Sequence, residues 1–388
     1  MSFLLLPFPL LAIPAFILLR DRAKTIYGSL TKDPVQKDIV LPYSPTELTT
    51  TDILTIILHL LLKYVPIYST PKLTAHGEGF ILPPLRLSGP LRIRESDVAL
   101  FKTAVKSANP SSSTTNPFLL VSLTTPLVVT TLTHPASPIK PIGAVNTRNQ
   151  FTIHNRKLCS SASELIKASN AKKLTFSSSM GSEGRRKKRG VEFDVTITVF
   201  CEAEPVLTQR LYFLQFLSKG TKPLYKESDS AEQRMREQLQ DLSSQGTDTV
   251  TVPATGPTEY AASCKDYNPI HISALAAKLF GFKGVIAHGN YAAALLVQSA
   301  LDSTGSSAEG EGNVKTLPQH TVARLLAPPQ EDGKLQDVLV DVAFVKPVAP
   351  LPADLKVDWS RGSTQAAASR VEFNASLKEK MCVVGSVQ

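Results

Sequence analysis

Residues 260–296 read YAASCKDYNPIHISALAAKLFGFKGVIAHGNYAAALL, and they carry most of the information about fold and function in this chain. An aspartate, an asparagine, a proline and a histidine fall between Asp266 and His271. Pro269 disfavours a helical conformation at Asn268, so the segment is predicted to be an extended turn that leads into the helix ISALAAKLF. Such a turn lets the Asp266 carboxylate and the His271 imidazole face one point.

The Asp266–His271 pair suits the addition or removal of water, because a carboxylate accepts a proton while an imidazole donates or relays one. Asn268 is expected to fix the loop through side-chain hydrogen bonds. Alone, such a short string is more often a capped turn than a catalytic site. Here it is followed by His288-Gly289 and the apolar helix NYAAALLVQSAL. The glycine allows close approach to the backbone, and the amides of the first helical turn favour a carbonyl oxygen that gains negative charge.

The rest of the chain indicates two successive β-rich units, each with a helix, separated by a polar link. In the first unit, GAVNTRNQFTI, KKLTFSSSM, GVEFDVTITVFCEAE and PVLTQRLYFLQFL are predicted strands, and NPFLLVSLTTPLVVTTL is a buried helix or strand. The basic run GSEGRRKKRG (181–190) fits a turn between strands. In the second unit, strands are predicted around QHTVARLLAPP, DVLVDVAFVKPVAP, DLKVDWSRG and SRVEFNASL.

Composition leaves several classes of partner open. The net charge of +9 suits anionic partners such as nucleic acid, acidic lipid or a phosphorylated cofactor. Nucleic acid is the least favoured, because the basic residues lack interleaved aromatic residues or a recognised module. The four cysteines are far apart, which disfavours a structural zinc site and is typical of reduced thiols.

The N-terminus carries an uncharged run of 19 residues, MSFLLLPFPLLAIPAFILL, followed by Arg20 and other basic residues. As a helix it would reach about 28 Å, enough to cross a bilayer core, although its prolines disfavour a straight helix. It is predicted either to anchor the chain in a membrane, with the remainder on the cytoplasmic side, or to pack on the protein's own surface. A second apolar stretch, residues 53–67, is either an interfacial amphipathic helix, since His59 and Lys63 share one face, or a buried helix.

The central stretch resembles the hydratase-2 signature of MaoC-like dehydratases. The matching positions are Tyr260, Cys264, Asp266, Asn268, Pro269, Ile270, His271, Ala274, Gly281, Phe282, Ile286, His288 and Gly289. The resemblance is closest over residues 255–300; FVKPVAP and DLKVDW resemble later strands of the same domain, and HPASPIKPIGAVNTRNQFTI resembles the early strands of a first, motif-less copy.

This resemblance implies an α+β double hotdog, in which two antiparallel sheets each wrap around a long helix. It also implies (R)-specific hydration of trans-2-enoyl thioesters, or the reverse dehydration of 3-hydroxyacyl thioesters, without a metal or redox cofactor. By position, Asp266 and His271 would bracket the water, Asn268 would hold the loop, and the Gly289 amide beside His288 would polarise the thioester carbonyl.

Two positions depart from the family pattern. Lys265 replaces a glycine before the aspartate; a positive φ there would cost about 1–2 kcal/mol, and its ammonium would weaken Asp266 as a base if the two paired. Asn290 to Ala292 replace a small polar residue after His288-Gly289.

The predicted organisation is an apolar segment (1–25), a linker with an apolar helix (26–79), a first hotdog unit without the motif (80–220), a polar linker (221–249) and a catalytic unit (250–388). The expected partner is acyl-CoA or acyl-ACP in fatty-acid metabolism, with a possible homodimer and no nucleic acid. The location is either membrane-associated, through residues 1–19, or cytoplasmic. The alternative function is a noncatalytic hotdog protein that binds acyl-CoA or serves as an assembly subunit. The basic run Arg185–Arg189 would meet coenzyme A phosphates or be a solvated turn.

Overall fold

The structure, a computed structural model, describes residues 20–28, 30, 38–65, 71–77, 79–107, 115–187, 190–216, 244–303, 318–328, 336–361 and 370–388. Residues 20–27 are helical. The further helices are α1 (Thr50–Leu62), α2 (Glu95–Ala104), α3 (Phe118–Thr133), α4 (Arg156–Cys159), α5 (Ala162–Asn170), α6 (Gly256–Cys264), α7 (Pro269–Ile272), α8 (Ala274–Leu279), α9 (Gly289–Asp302) and α10 (Pro318–Leu326), with a 3-10 turn at Pro45–Glu47. The strands are β1 (Asp38–Val40), β2 (Thr74–His76), β3 (Gly79–Ile81), β4 (Arg86–Pro90), β5 (Ala144–Ile153), β6 (Leu174–Met180), β7 (Glu183–Lys187), β8 (Gly190–Cys201), β9 (Glu204–Phe216), β10 (Gly246–Val252), β11 (Val338–Phe344), β12 (Ala353–Arg361), β13 (Val371–Leu377) and β14 (Lys380–Val387).

One continuous sheet runs through both halves of the chain, in the order β1-β4-β6-β8-β9-β5-β11-β14-β13-β12-β10. Neighbouring strands along this path are antiparallel, except that β1 runs parallel to β4. The two halves meet where β5 pairs with β11, in the register Ile153↔Val338 to Arg148↔Ala343. This pairing places the start of β5 beside the end of β11.

Each half of the sheet has a buried central helix. In the first half, α3 contacts β4, β6 and β8, and residues around nearly its whole circumference are buried. In the second half, α9 is buried from Tyr291 to Gln298 and contacts β10. Asn116, just before α3, donates a hydrogen bond of 2.9 Å from Nδ2 to the carbonyl of Ala294 in α9. The two helices therefore share one core, as a double hotdog requires.

Two expectations for individual elements were wrong. QHTVARLLAPP was expected to form a strand, but α10 occupies Pro318–Leu326, with Gln319, Val322, Ala323 and Leu326 buried at helical spacing. The basic run at 181–190 was expected to be a turn, but residues 183–187 form β7, which pairs with β3 and β8. Pairing with β3 and β8 holds this run as a strand despite its positive charge. NPFLLVSLTTPLVVTTL, which was left open, contains helix α3.

The structure bears on only part of what was predicted for the N-terminus. Within the described ranges, no helix is both long and apolar enough to span a bilayer. Residues 1–19 lie outside these ranges, so their membrane anchoring stays a prediction. The boundaries proposed for the five segments also stay a prediction.

Candidate active site

The loop around Asp266 is shaped by three successive local features. Helix α6 ends at Lys265, whose φ of 52° and ψ of 21° reverse the chain in the left-handed region. Asp266 Oδ1 then accepts a hydrogen bond from the Asn268 amide at 3.2 Å. Asn268 Oδ1 accepts one from the Ile270 amide at 3.4 Å and caps α7, with Pro269 in its first turn. Asn268 therefore holds the loop, as the sequence suggested, and α7 carries His271.

The two histidines stack on each other, with ring centroids 3.7 Å apart and an interplanar angle of 27°. His271 Nδ1 donates to the carbonyl of Ile286 at 2.9 Å. Because a carbonyl only accepts hydrogen bonds, Nδ1 carries the proton and Nε2 of the neutral ring is an open acceptor. His288 Nε2 likewise donates to the backbone carbonyl of Asp266 at 3.1 Å, and lies 3.8 Å from the Asp266 carboxylate.

Both imidazoles are held neutral. Burial lowers the pKa of His271 below its ordinary value; the negative charge of Asp266 and the hydrogen bond to Ile286 act in the opposite direction. Burial, and then the neighbouring His271, lower the pKa of His288 well below the ordinary range. His271 is therefore a neutral base beside a carboxylate at physiological pH, and His288 is a neutral support for the loop.

Gly289 opens helix α9 directly after His288. The first-turn amide hydrogens of a helix have no intrahelical acceptor, and the helix dipole favours negative charge near them. A β-carbon at Gly289 would lie 2.9 Å from two ring carbons of Phe344, which is closer than such contacts normally are. Glycine is therefore required here by the close approach of an aromatic ring as well as by access to the backbone.

A cavity of about 750 Å³ connects these groups, and Asp266, Asn268, His271, His288 and Gly289 all line it. Their roles remain a prediction, but the fold brings the five residues together. Much of the remaining wall is apolar, including Phe282, Phe344 and Val348 of the second half.

The first half of the chain also lines the cavity, which the sequence did not indicate. Its contributors include Asn146, Thr147, Lys187, Glu192, Phe213 and Phe216. No motif marks these residues; only the β5–β11 pairing brings them to the site.

A chain of three side-chain amides links this wall to the candidate oxyanion site. Asn146 Nδ2 donates to Asn149 Oδ1 at 2.9 Å, and Asn149 Nδ2 donates to Asn290 Oδ1 at 2.6 Å. Asn290 follows Gly289 in the first turn of α9. Asn290, which departs from the family pattern, is thus held by a buried residue of the other half.

The basic residues near the cavity are partly neutralised. Lys187 lines the cavity, but its Nζ lies 3.7 Å from Glu192, which also pairs with Arg185 at 3.3 Å. The Arg186 guanidinium lies over the ring of Phe80, 4.8 Å from its centroid. Residues 188 and 189 of the run lie outside the described ranges, so a role with coenzyme A phosphates stays a prediction.

Asp266, His271 and His288 also offer donor atoms within 4.8 Å of one another, a set that suits a transition metal. Binding through His288 Nε2, the nitrogen beside the carboxylate, would require the loss of the proton that it donates to Asp266. The ligand atoms would also have to move to about 3.3 Å from one another to suit a tetrahedral ion. Metal binding would therefore require both a deprotonated His288 Nε2 and a shift of the ligand atoms.

Comparison with known proteins gives a match for part of the second half of the chain. Residues 240–314 match the family model described as "MaoC like domain". This stretch of the chain is MaoC-like. A stretch of 38 residues is 58% identical to 3-hydroxyacyl-thioester dehydratase X of Mycobacterium tuberculosis, and covers 10% of this chain and 14% of that relative.

Solved structures support the fold around this MaoC-like domain. The crystal structure of HtdX from M. tuberculosis aligns with a TM-score of 0.51 at 20% identity, over 78% of this chain and 99% of that one. A MaoC-like dehydratase from Phytophthora capsici aligns with a TM-score of 0.52 at 16% identity, over 79% and 95% of the two chains. At such identities the similarity is one of fold, and it confirms the predicted α+β double hotdog.

Proposed function

We propose that this protein is a hydro-lyase that hydrates trans-2-enoyl thioesters with (R) specificity, or dehydrates the corresponding 3-hydroxyacyl thioesters. The carrying observation is the open Nε2 of neutral His271 beside Asp266, in the cavity that Gly289 also lines. The MaoC-like match over residues 240–314 and the relative named as a 3-hydroxyacyl-thioester dehydratase support this class.

In the proposed hydration, the oxygen of one water bonds C3 of the substrate while the C2–C3 π electrons shift toward the thioester carbonyl. His271 Nε2 accepts the water proton, and the carboxylate of Asp266 stabilises the imidazolium that forms. The same proton is then delivered to C2 as the enolate collapses, so the protein ends in its starting state. The favourable action of the Asp266 charge on protonated His271 agrees with this division of roles.

The Gly289 amide is proposed to bind the thioester oxygen as it gains charge. Removing one such donor typically costs about 3 kcal/mol of transition-state stabilisation. The apolar cavity wall suits an acyl chain, and the carrier is coenzyme A or acyl carrier protein in fatty-acid metabolism. A homodimer and a membrane-associated or cytoplasmic location remain predictions.

The alternative, a protein that binds acyl-CoA without turning it over, was motivated by Lys265. Its φ of 52° is indeed in the left-handed region. Among the ion pairs of the described residues, however, Lys265 does not pair with Asp266. The missing ion pair supports the catalytic proposal over the noncatalytic alternative.

Full-length protein incubated with crotonyl-CoA and longer trans-2-enoyl-CoA tests the proposal. We expect the (3R)-hydroxyacyl product, at rates that Asp266→Ala or His271→Ala each reduce at least about a hundredfold. Binding of the thioester without any hydration by the wild-type protein would support the noncatalytic alternative instead. Full activity in either variant would place the chemistry elsewhere.

A further inference from the structure

Helix α1 buries polar and charged side chains on one side and exposes leucines on the other. Its buried positions are Asp52, Thr55 and Ile56, and Lys63, immediately after the helix, is only 2% exposed. On the opposite side, Leu54 is 58% exposed and Leu61 is 51% exposed. A surface helix in a globular protein normally has the reverse pattern, with its apolar stripe toward the core.

The inward lysine is accommodated by a dedicated set of acceptors. Lys63 Nζ donates to the backbone carbonyls of Leu132 and Ser137 at 2.8 Å each, and of Ile139 at 3.1 Å. These carbonyls belong to the end of α3 and the loop after it. The contacts fix the rotation of α1 about its axis, and this rotation turns Leu54 and Leu61 outward.

The exposed residues form a continuous apolar stripe. Leu54 and Leu61 are seven residues apart, so they share one helical face, and Val65, three residues after the end of the helix, is 42% exposed. Ile57 and Leu58 lie along the same face and are half-buried. No charged residue occurs among these five positions, which we call the α1 stripe.

A series of contacts connects the end of the α1 stripe to a residue that lines the cavity. Next to Val65, Tyr64 donates from its hydroxyl to the carbonyl of Ile142 at 3.0 Å, and Lys140 Nζ lies 5.7 Å from the centroid of its ring. The Lys140 amide donates to the side chain of Gln215 at 2.8 Å. Phe216, next in sequence, is 46% exposed and lines the cavity.

The uncharged run at residues 1–19 joins the protein beside the same helix. Residues 20–27 are helical, and Ala23, Ile26 and Tyr27 pack in one cluster with Leu48 and with Ile56 of α1. A salt bridge of 2.6 Å between Arg22 and Asp52 fixes this contact. Nineteen consecutive uncharged residues therefore connect to the protein at the helix that carries the α1 stripe.

We propose that the α1 stripe is a contact surface for a lipid bilayer. An apolar helical face beside a tyrosine and a lysine suits the boundary between acyl chains and headgroups, where aromatic rings and long cationic side chains are favoured. The adjacent run at 1–19 and the net charge of +9 both suit an anionic membrane. This surface would hold the cavity mouth near molecules that carry acyl chains.

Vesicle flotation tests the surface with the full-length chain and no substrate, so the outcome does not depend on the proposed chemistry. Vesicles of phosphatidylcholine with about 20% phosphatidylserine provide an anionic bilayer. We expect the wild-type chain to bind, and Leu54→Glu/Leu61→Glu to bind at least about tenfold more weakly. Both leucines are largely exposed, so the unfolding transition should be unchanged.

The matched control is Leu275→Glu/Leu279→Glu, which places the same charges on α8, where these leucines are 71% and 80% exposed. This control should bind vesicles as the wild type does. Unchanged binding by the α1 variant, or equal weakening by both pairs, would overturn the proposal. Absence of vesicle binding would also overturn it. In that case sedimentation would distinguish two other occupants of the α1 stripe. A second copy would appear as a dimer that Leu54→Glu/Leu61→Glu dissociates, whereas the chain's own residues 1–19 would leave both proteins monomeric.

Discussion

Replacing Lys265 by glycine should stabilise the protein without accelerating it. Lys265 has a φ of 52°, in the left-handed region that favours glycine. Relief of the left-handed conformation raises the free energy of unfolding by about 1–2 kcal/mol. The greater conformational entropy of glycine in the unfolded chain lowers it by about 0.4–1 kcal/mol. The net expectation for Lys265→Gly is a free energy of unfolding that rises by about 0.5–1 kcal/mol.

The chain offers a matched control, because Lys172 also follows a helix, with a φ of 57°, and lies outside the cavity wall. Lys172→Gly should therefore give a similar gain in urea unfolding. Lys265→Ala removes the same ammonium but keeps the left-handed strain. If the ammonium does not oppose Asp266, kcat/KM should stay within about threefold in all three variants, which corresponds to about 0.65 kcal/mol.

Two results would refute this reasoning. A rise in kcat/KM of tenfold or more, about 1.4 kcal/mol, in both Lys265→Gly and Lys265→Ala would mean that the lysine charge suppresses the carboxylate. A loss of stability in Lys265→Gly with a gain in Lys172→Gly would mean that contacts of the Lys265 side chain outweigh its backbone strain.

Three further predictions concern the helix start, the imidazole and the buried lysine. Gly289→Ala should lower kcat/KM about a hundredfold, because its β-carbon would lie 2.9 Å from the ring of Phe344. Adding Phe344→Leu to this variant should partly restore kcat/KM. Additive losses in the double variant would contradict the steric cause. The acid limb of the kcat/KM pH profile should lie below pH 6.5, because burial lowers the pKa of His271. The pKa of His271 measured by NMR titration should fall further in Asp266→Asn, because the charge of Asp266 raises it. An acid limb above pH 6.5 would contradict this. Burial lowers the pKa of Lys63 to about 7, so between pH 7 and 10 the unfolded chain binds more protons than the folded chain. The free energy of unfolding of the wild type, relative to that of Lys63→Met, should therefore rise with pH over this range, by up to about 1.4 kcal/mol per pH unit. A flat difference in urea unfolding over that range would mean that the three carbonyls bonded to Nζ keep this amine protonated despite its burial.

Much of the fold followed from local sequence patterns. Alternation at Val191 to Val199 predicted β8, and His288-Gly289 predicted where α9 begins. The extended turn expected at Pro269 instead contains the short helix α7, and the helix expected over 272–280 is interrupted at Ser273 before α8. The strand expected at QHTVARLLAPP was wrong, because Gln319, Val322, Ala323 and Leu326 recur at helical spacing and are buried on one face of α10. Packing against α9 decided that element, and such packing is not visible in a short window of sequence.

The candidate site divides in the same way. Asp266, Asn268 and His271 lie within six residues of one another, so their spacing alone indicated that they would meet. The contact between Asn149 and Asn290 joins residues in different halves, and it depends on where strands β5 and β11 pair. Sequence spacing does not encode that register. The buried position of Lys63 was likewise left open, because its three acceptors are carbonyls, which any residue supplies.

A double-mutant cycle on Asp266 and His271 measures most directly whether the two side chains act on one water. The assay is kcat/KM for hydration of a trans-2-enoyl-CoA by the wild type, Asp266→Asn, His271→Ala and the double variant. If the pair is one proton-transfer unit, each single change should lower kcat/KM by about 10² to 10⁴, and the double change should cost hardly more than either. Losses that multiply in the double variant, or a single variant that keeps wild-type activity, would contradict a shared role.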